Sequence, residues 1–145
     1  RKPGVGELRL AVTEKVIAAQ NAVVAAESLG LGSCYIGDIM ENCEEQRRLL
    51  CLPDYVFPAA MLVFGWPTEQ QKQRPKPERC EQKHIVHENT YRDMDGEELR
   101  EMFAYKCKNR TYEEWCNAFC NRKYNSDFSK EMSRSVEKYL EQYGL

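Results

Sequence analysis

Apolar positions crowd into the first 65 residues, and the remainder of the chain is polar with apolar residues at helical spacing. From Val16 to Ala26 the sequence VIAAQNAVVAA is apolar almost all round, interrupted only by Gln20 and Asn21. A helix apolar on every face is expected to be buried on every face. The pattern predicts one long buried helix over Glu7–Leu29, whose alanines admit close neighbours, stopped by Gly30. Ser33–Ile36 reads as a short strand turned by Gly37-Asp38. Asn42–Leu50 reads as a short amphipathic helix with Asn42 as its N-cap, acids in its first turn and Arg47 and Arg48 in its last. Phe57–Phe64 has the length and content of a buried strand, ending at Gly65-Trp66-Pro67.

Beyond Pro67 the character changes. Thr68–Lys83 is polar, proline-containing and basic, and is expected to be a loop. No proline or glycine falls between Gly96 and Gly144, and three helices are predicted there, near Asp95–Tyr105, Thr111–Lys123 and Ser126–Tyr143. Thr111 with Glu114 makes a capping-box pattern, and Ser126 is a further candidate cap.

Composition narrows the classes. The chain has 145 residues, 42% hydrophobic and 30% charged, enough for a packed core and too apolar for a wholly disordered chain. A formal net charge of −2 gives no global attraction to nucleic acid or anionic lipid. No apolar run reaches the ~18 residues of a membrane span, and no secretory leader is visible. Seven cysteines without a ligand pattern are expected to be free thiols in a reducing cytoplasm. The chain opens on Arg1-Lys2-Pro3 rather than on methionine.

Candidate chemistry is sparse. His84-x-x-His87 is the only histidine pair and follows Cys80, but no fourth ligand stands at a recognisable spacing, so no metal site is read. Cys116 and Cys120 share a helix face beside Trp115 and Phe119 and read as small packing residues. No catalytic side chain is identified. Leu29–Asp38 places three glycines where a buried helix meets a strand and turn. Glycine there either makes a tight connection or lets backbone N–H groups approach a flat or phosphorylated ligand. Lys76-Pro77-Glu78-Arg79 is either a stiffened phosphate clamp or solvated surface.

In order and spacing, several segments resemble the FMN-dependent nitroreductase family, in its NAD(P)H nitroreductase and flavin reductase branch. They are Ala18-Ala-Gln-Asn-Ala22, Ala25-Ala-Glu-Ser-Leu-Gly-Leu-Gly-Ser-Cys-Tyr-Ile-Gly-Asp-Ile39, Leu52-Pro53, Phe64-Gly-Trp-Pro67, the Lys76/Arg79 loop and His87-Glu-Asn-Thr-Tyr91. The tail, with Arg122-Lys-Tyr-Asn-Ser-Asp127 and Arg134-Ser-Val-Glu-Lys-Tyr139, is similar to bacterial members.

The resemblance implies an α+β fold with helices around a mixed, mainly antiparallel sheet. Here it would be truncated at the N-terminus and helix-rich. Residues 1–91 would form the C-terminal part of the nitroreductase-like domain, and residues 92–145 a helical extension. It implies FMN as cofactor, NAD(P)H as co-substrate, and reduction of nitroaromatics, quinones or flavins by two-step hydride transfer. Tyr35, Ile36, Gly37 and Asp38 would wall the flavin ring, with the Asp38 carboxylate directed away from it. Lys76 and Arg79 would reach the phosphate, with Arg74 a weaker candidate. It further implies a cytoplasmic homodimer joined through the Val12–Leu29 helix and the C-terminal extension, acting on a small-molecule acceptor. The Arg-rich phosphate grip that family members carry further upstream is not in this sequence, so the chain is expected to be an inactive portion of such an enzyme. The competing expectation is a non-catalytic, helix-rich dimerisation module without cofactor.

Overall fold

The computed structural model describes residues 1–144, which divide into two units, residues 1–73 with 127 onward, and residues 74–126. In the first unit the alanine-rich segment forms helix α1 (Val5–Ser28), where Glu7 reaches back to accept from the Gly4 N–H at 3.0 Å. Its end is a Schellman turn, with Gly30 N–H bonded to Glu27 O at 2.9 Å and Leu31 N–H to Ala26 O at 3.0 Å. Gly30 sits at φ +79°, a left-handed conformation that favours glycine.

Strand β1 (Gly32–Ile36) pairs antiparallel with β2 (Met61–Gly65), in a register that sets Gly32 opposite Gly65 and Ile36 opposite Met61. The expected strand from Phe57 is therefore shorter. Residues 57–60 make no ladder, and Pro58 has no N–H to give to one.

The expected all-round burial of α1 is corrected. Leu8, Val12, Ala19, Val23 and Ala26 are covered to varying degrees, while Leu10 (64%), Ile17 (59%) and Val24 (58%), at heptad spacing, stand exposed. Strand β2 is likewise mostly exposed. All-round apolarity records what a helix is suited to bury, and this chain covers only one side of it.

The tightest packing lies between α2 (Cys43–Leu49) and α6 (Asp127–Leu140), where Cys43, Ser135 and Tyr139 are essentially inaccessible. Along α6, Met132, Ser135, Val136 and Tyr139 recur at helical spacing on the covered face. The Tyr139 ring meets Phe57 edge-on at 5.1 Å, and its hydroxyl donates to the Cys43 carbonyl at 3.3 Å.

Asn42 does occupy the N-cap position of α2, but its side chain makes no capping bond and its backbone is left-handed. The cap comes from α6 instead. The Asn42 N–H donates to Glu131 Oε1 and the Cys43 N–H to Ser135 Oγ, each at 3.0 Å. Arg134 then clamps Glu44 with two bonds of 2.9 and 2.8 Å and reaches Glu131 at 2.8 Å. After α6, the turn Glu141–Tyr143 is tied back by Tyr143 Oη donating to Tyr55 O at 2.6 Å and Tyr55 N–H donating to Gln142 Oε1 at 2.7 Å.

This clamp carries a pH dependence. Its bonds to Arg134 hold the Glu131 carboxyl down at about 2 and the Glu44 carboxyl far below the ordinary glutamate range. A depressed folded-state pKa contributes stability above the unfolded value of about 4.3, lost as pH falls toward the folded value. The urea midpoint is thus expected to fall between about pH 5 and 2, and Arg134→Ala is expected to flatten that slope. Parallel slopes for the two proteins would remove the clamp as its cause.

Within Thr68–Lys83 the expected loop is interrupted. Thr68 Oγ1 accepts from the Gln71 N–H at 3.3 Å and Glu69 pairs with Lys72 at 2.7 Å, supporting a short helix α3 (Glu69–Gln73). The second unit opens with an extended basic segment and a 3-10 turn (Gln82–His84), followed by α4 (Gly96–Cys107) and α5 (Tyr112–Lys123). Asp95 caps α4 by accepting from the N–H groups of Glu97 and Glu98, both at 2.9 Å. The Thr111–Glu114 box caps α5 as expected. Phe103, Trp115 and Phe119 stack in sequence at 4.9 and 5.2 Å, and Arg100 pairs with Glu113 across the two helices at 2.9 Å. All seven cysteines are free thiols, and no described helix is long and apolar enough to cross a membrane.

Candidate functional site

Strand β1 ends at Ile36, and Gly37 (φ −80°, ψ −23°) leads into a 3-10 turn over Asp38–Met40. The turn closes with Met40 N–H on Gly37 O at 3.1 Å and Glu41 N–H on Asp38 O at 3.0 Å. Among the described residues the N–H groups of Gly37, Asp38 and Ile39 find no backbone acceptor, as expected of the first residues of a helical turn. A Cβ built on Gly37 meets nothing within 4 Å, and its φ is ordinary. Nothing in this chain's own backbone or packing therefore demands glycine there. Tyr35 is partly exposed, its hydroxyl donating to Gln20 Oε1 of α1 at 3.4 Å, while Ile36 is half-buried. The Asp38 side chain is exposed.

The basic segment sorts into two kinds of cation. Lys72 is held by Glu69, and Lys83 by Glu101 at 2.5 Å and Glu81 at 3.5 Å. Arg74, Lys76 and Arg79 are exposed, and among the described residues none of them has an ion pair or hydrogen bond. The candidate residues thus fall in two groups. Tyr35–Asp38 belong to the first unit, and Arg74, Lys76 and Arg79 begin the second.

The histidine pair separates. His87 Nδ1 accepts from the Arg92 N–H at 3.3 Å and its ring lies 4.7 Å from Tyr91. His84 is buried beside Glu81 and Glu101, a convergence that excludes Cys80 and His87. Sequence spacing gave no sign of it, because Glu101 arrives from α4. Also unanticipated is an apolar groove of about 560 Å³ in the first unit, bordered by Leu8, Val12, Phe57, Pro58 and Tyr143.

A long helix packed on an antiparallel strand pair, with a glycine turn at the strand end, defines an α+β architecture, and its likenesses to known proteins agree with one another. Residues 1–66 match the profile of the nitroreductase family. An oxygen-insensitive NADPH nitroreductase of Salmonella typhimurium is 37% identical over 116 residues, which cover 75% of this chain and 47% of that protein. The structure of NfrA1 from B. megaterium superposes with a TM-score of 0.72 at 32% identity, covering 94% of this chain and 57% of that one. The NADPH:FMN oxidoreductase of Vibrio harveyi, solved with NAD+, gives a TM-score of 0.66 at 25% identity, covering 100% of this chain and 59% of that one. The chain belongs to the nitroreductase family. It spans about half the length of the curated relatives it matches.

Proposed function

We propose that this chain forms part of an FMN-dependent NAD(P)H oxidoreductase acting on nitroaromatics, quinones or flavins. The observation that carries this reading is the set of uncommitted groups. Three cations without a carboxylate partner among the described residues suit a phosphate, and three N–H groups without an acceptor among those residues, beside an unfilled glycine, suit the polar edge of a flat ring. The names of the relatives, an NADPH nitroreductase and an NADPH:FMN oxidoreductase, support the same cofactor and co-substrate.

In this reading Arg79 and Lys76 hold the phosphate, with Arg74 a weaker candidate. Tyr35 and Ile36 provide an apolar wall, and the Gly37 turn offers its N–H groups to the ring. When bound, FMN supplies hydride transfer between NAD(P)H and the acceptor. Around it the protein orients the ring, excludes water and keeps the Asp38 carboxylate in solvent.

Residues 1–91 are proposed to belong to the nitroreductase-like domain and 92–145 to its extension, within a cytoplasmic homodimer. The 145-residue chain alone is proposed to be inactive. The test is the full-length gene product. Flavin absorbance together with NAD(P)H oxidation in the presence of a nitroarene is expected, and a colourless, inactive protein would defeat the proposal. Gly37→Ala should leave the melting temperature unchanged, since the added methyl meets nothing. It should weaken FMN binding roughly five- to tenfold, the worth of one displaced hydrogen bond. Unaltered FMN affinity in that variant would remove the turn from the site.

A second reading is favoured by the exposed Leu10, Ile17 and Val24 seam of α1, which suits a module that only dimerises. FMN binding at micromolar affinity by the 145-residue chain itself would count against it.

A further inference from the structure

Glu81 stands at the entrance of the 3-10 turn that contains His84, and the His84 N–H closes that turn onto the Glu81 carbonyl at 3.2 Å. Residues three apart in such a turn nearly eclipse, so the two side chains share one side. Glu101 of α4 meets them there. One ligand atom from each of Glu81, His84 and Glu101 lies within 4.8 Å of the others. His84 is only 5% exposed, and its ring makes no hydrogen bond or ion pair with any described residue. Its imidazole is buried against two carboxylates without bonding either. The neighbouring Glu98 is already committed, to Arg92 at 2.7 Å and to the Asp95 N–H at 3.1 Å.

The Glu81 and Glu101 carboxylates already converge on a cation. The Lys83 ammonium lies 2.5 Å from Glu101 and 3.5 Å from Glu81, at the end of a side chain that is 54% exposed and free to swing away.

We propose that Glu81, His84 and Glu101 form a binding site for a divalent transition-metal cation, with Lys83 as its built-in competitor. Two carboxylates and one neutral imidazole are a borderline donor set, suited to Zn²⁺, Mn²⁺, Fe²⁺ or Co²⁺, with water filling the remaining positions. The charges of the two carboxylates neutralise the ion. Ligands each about 2.1 Å from one ion stand at most about 4.2 Å apart, so rotation of the exposed carboxylates closes the cluster. Bound there, the ion would pin the segment that follows Arg79 to α4.

The test uses the whole 145-residue chain with Co²⁺ as probe, because its visible absorption separates nitrogen and oxygen ligands from thiolates, of which the chain offers seven. Expected is a weak d–d absorption that saturates at micromolar Co²⁺, without a strong thiolate charge-transfer band. Affinity should fall at least about tenfold in His84→Asn and in Glu101→Gln. Lys83→Met removes the competing ammonium while keeping all three ligands, so it should tighten Co²⁺ binding. Helical circular dichroism checks that each variant is folded. A thiolate band, equal affinity in every variant, or weaker binding in Lys83→Met overturns the assignment.

Discussion

Tyr139→Ala is expected to destabilise the chain by about 3–5 kcal/mol, the range for removing a buried aromatic side chain and leaving its cavity. Tyr139 is 1% exposed, so the substitution removes a whole ring from the tightest part of the first unit. Phe57 loses its edge-on partner, and the Cys43 carbonyl loses a hydrogen bond. The hydroxyl and the ring can be separated experimentally. Tyr139→Phe keeps the packing and should cost only about 1 kcal/mol, the net worth of an ordinary hydrogen bond. Urea midpoints at constant m-value read both variants. If the alanine variant costs no more than the phenylalanine one, the ring is not what holds α6 against α2.

The second large effect concerns binding. In the full-length protein, the double substitution Lys76→Ala with Arg79→Ala is expected to weaken FMN on the order of 10²- to 10³-fold. Hydrogen bonds to a charged group are each worth about 1.5–3 kcal/mol and neighbouring cations combine less than additively. The fold should be indifferent, because both side chains are exposed and neither has a partner among the described residues. Two controls sharpen the result. Riboflavin, which lacks the phosphate, should bind the double variant as it binds the parent. Lys72→Ala should leave FMN affinity nearly unchanged, since that ammonium is already spoken for by Glu69 at 2.7 Å. Flavin fluorescence quenching measures all three. Equal losses for riboflavin and FMN would move the phosphate contact elsewhere.

What could be read from the chain beforehand was whatever its own neighbours determine. Thr111 and Glu114 stand three apart and cap α5 by a local geometry, so the box is visible as a pattern. Gly30 ends α1 for the same kind of reason. The strand expected over Ser33–Ile36, with its turn at Gly37-Asp38, is legible in the same way and starts one residue earlier, at Gly32. Asn42 misled because its residue type suits a cap, whereas the groups that serve α2 come from Glu131 and Ser135, far along the chain. Glu101 could not be linked to His84, since no local period relates them. The apolarity of α1 predicts burial on every face, and that expectation fails because which faces this chain itself covers is a tertiary matter. For the candidate site, the sequence singled out the basic residues. Only the structure divided Arg74, Lys76 and Arg79 from the committed Lys72 and Lys83.

The cap on α2 also sets an order of events during synthesis. Its hydrogen bonds, and the Tyr139–Cys43 bond beside them, join residues 89, 92 and 96 positions apart, so they cannot form until α6 has left the ribosome. A seven-residue helix is too short to persist alone in water. Until α6 emerges, Cys43–Leu49 and the Tyr139-binding surface must therefore remain unsettled. This closure of a long loop is slow relative to local helix formation. Translation that stalls before Glu131 would leave α1 and the β1–β2 pair without the element that locks their neighbour, and such a nascent chain should be the one most readily cut by protease.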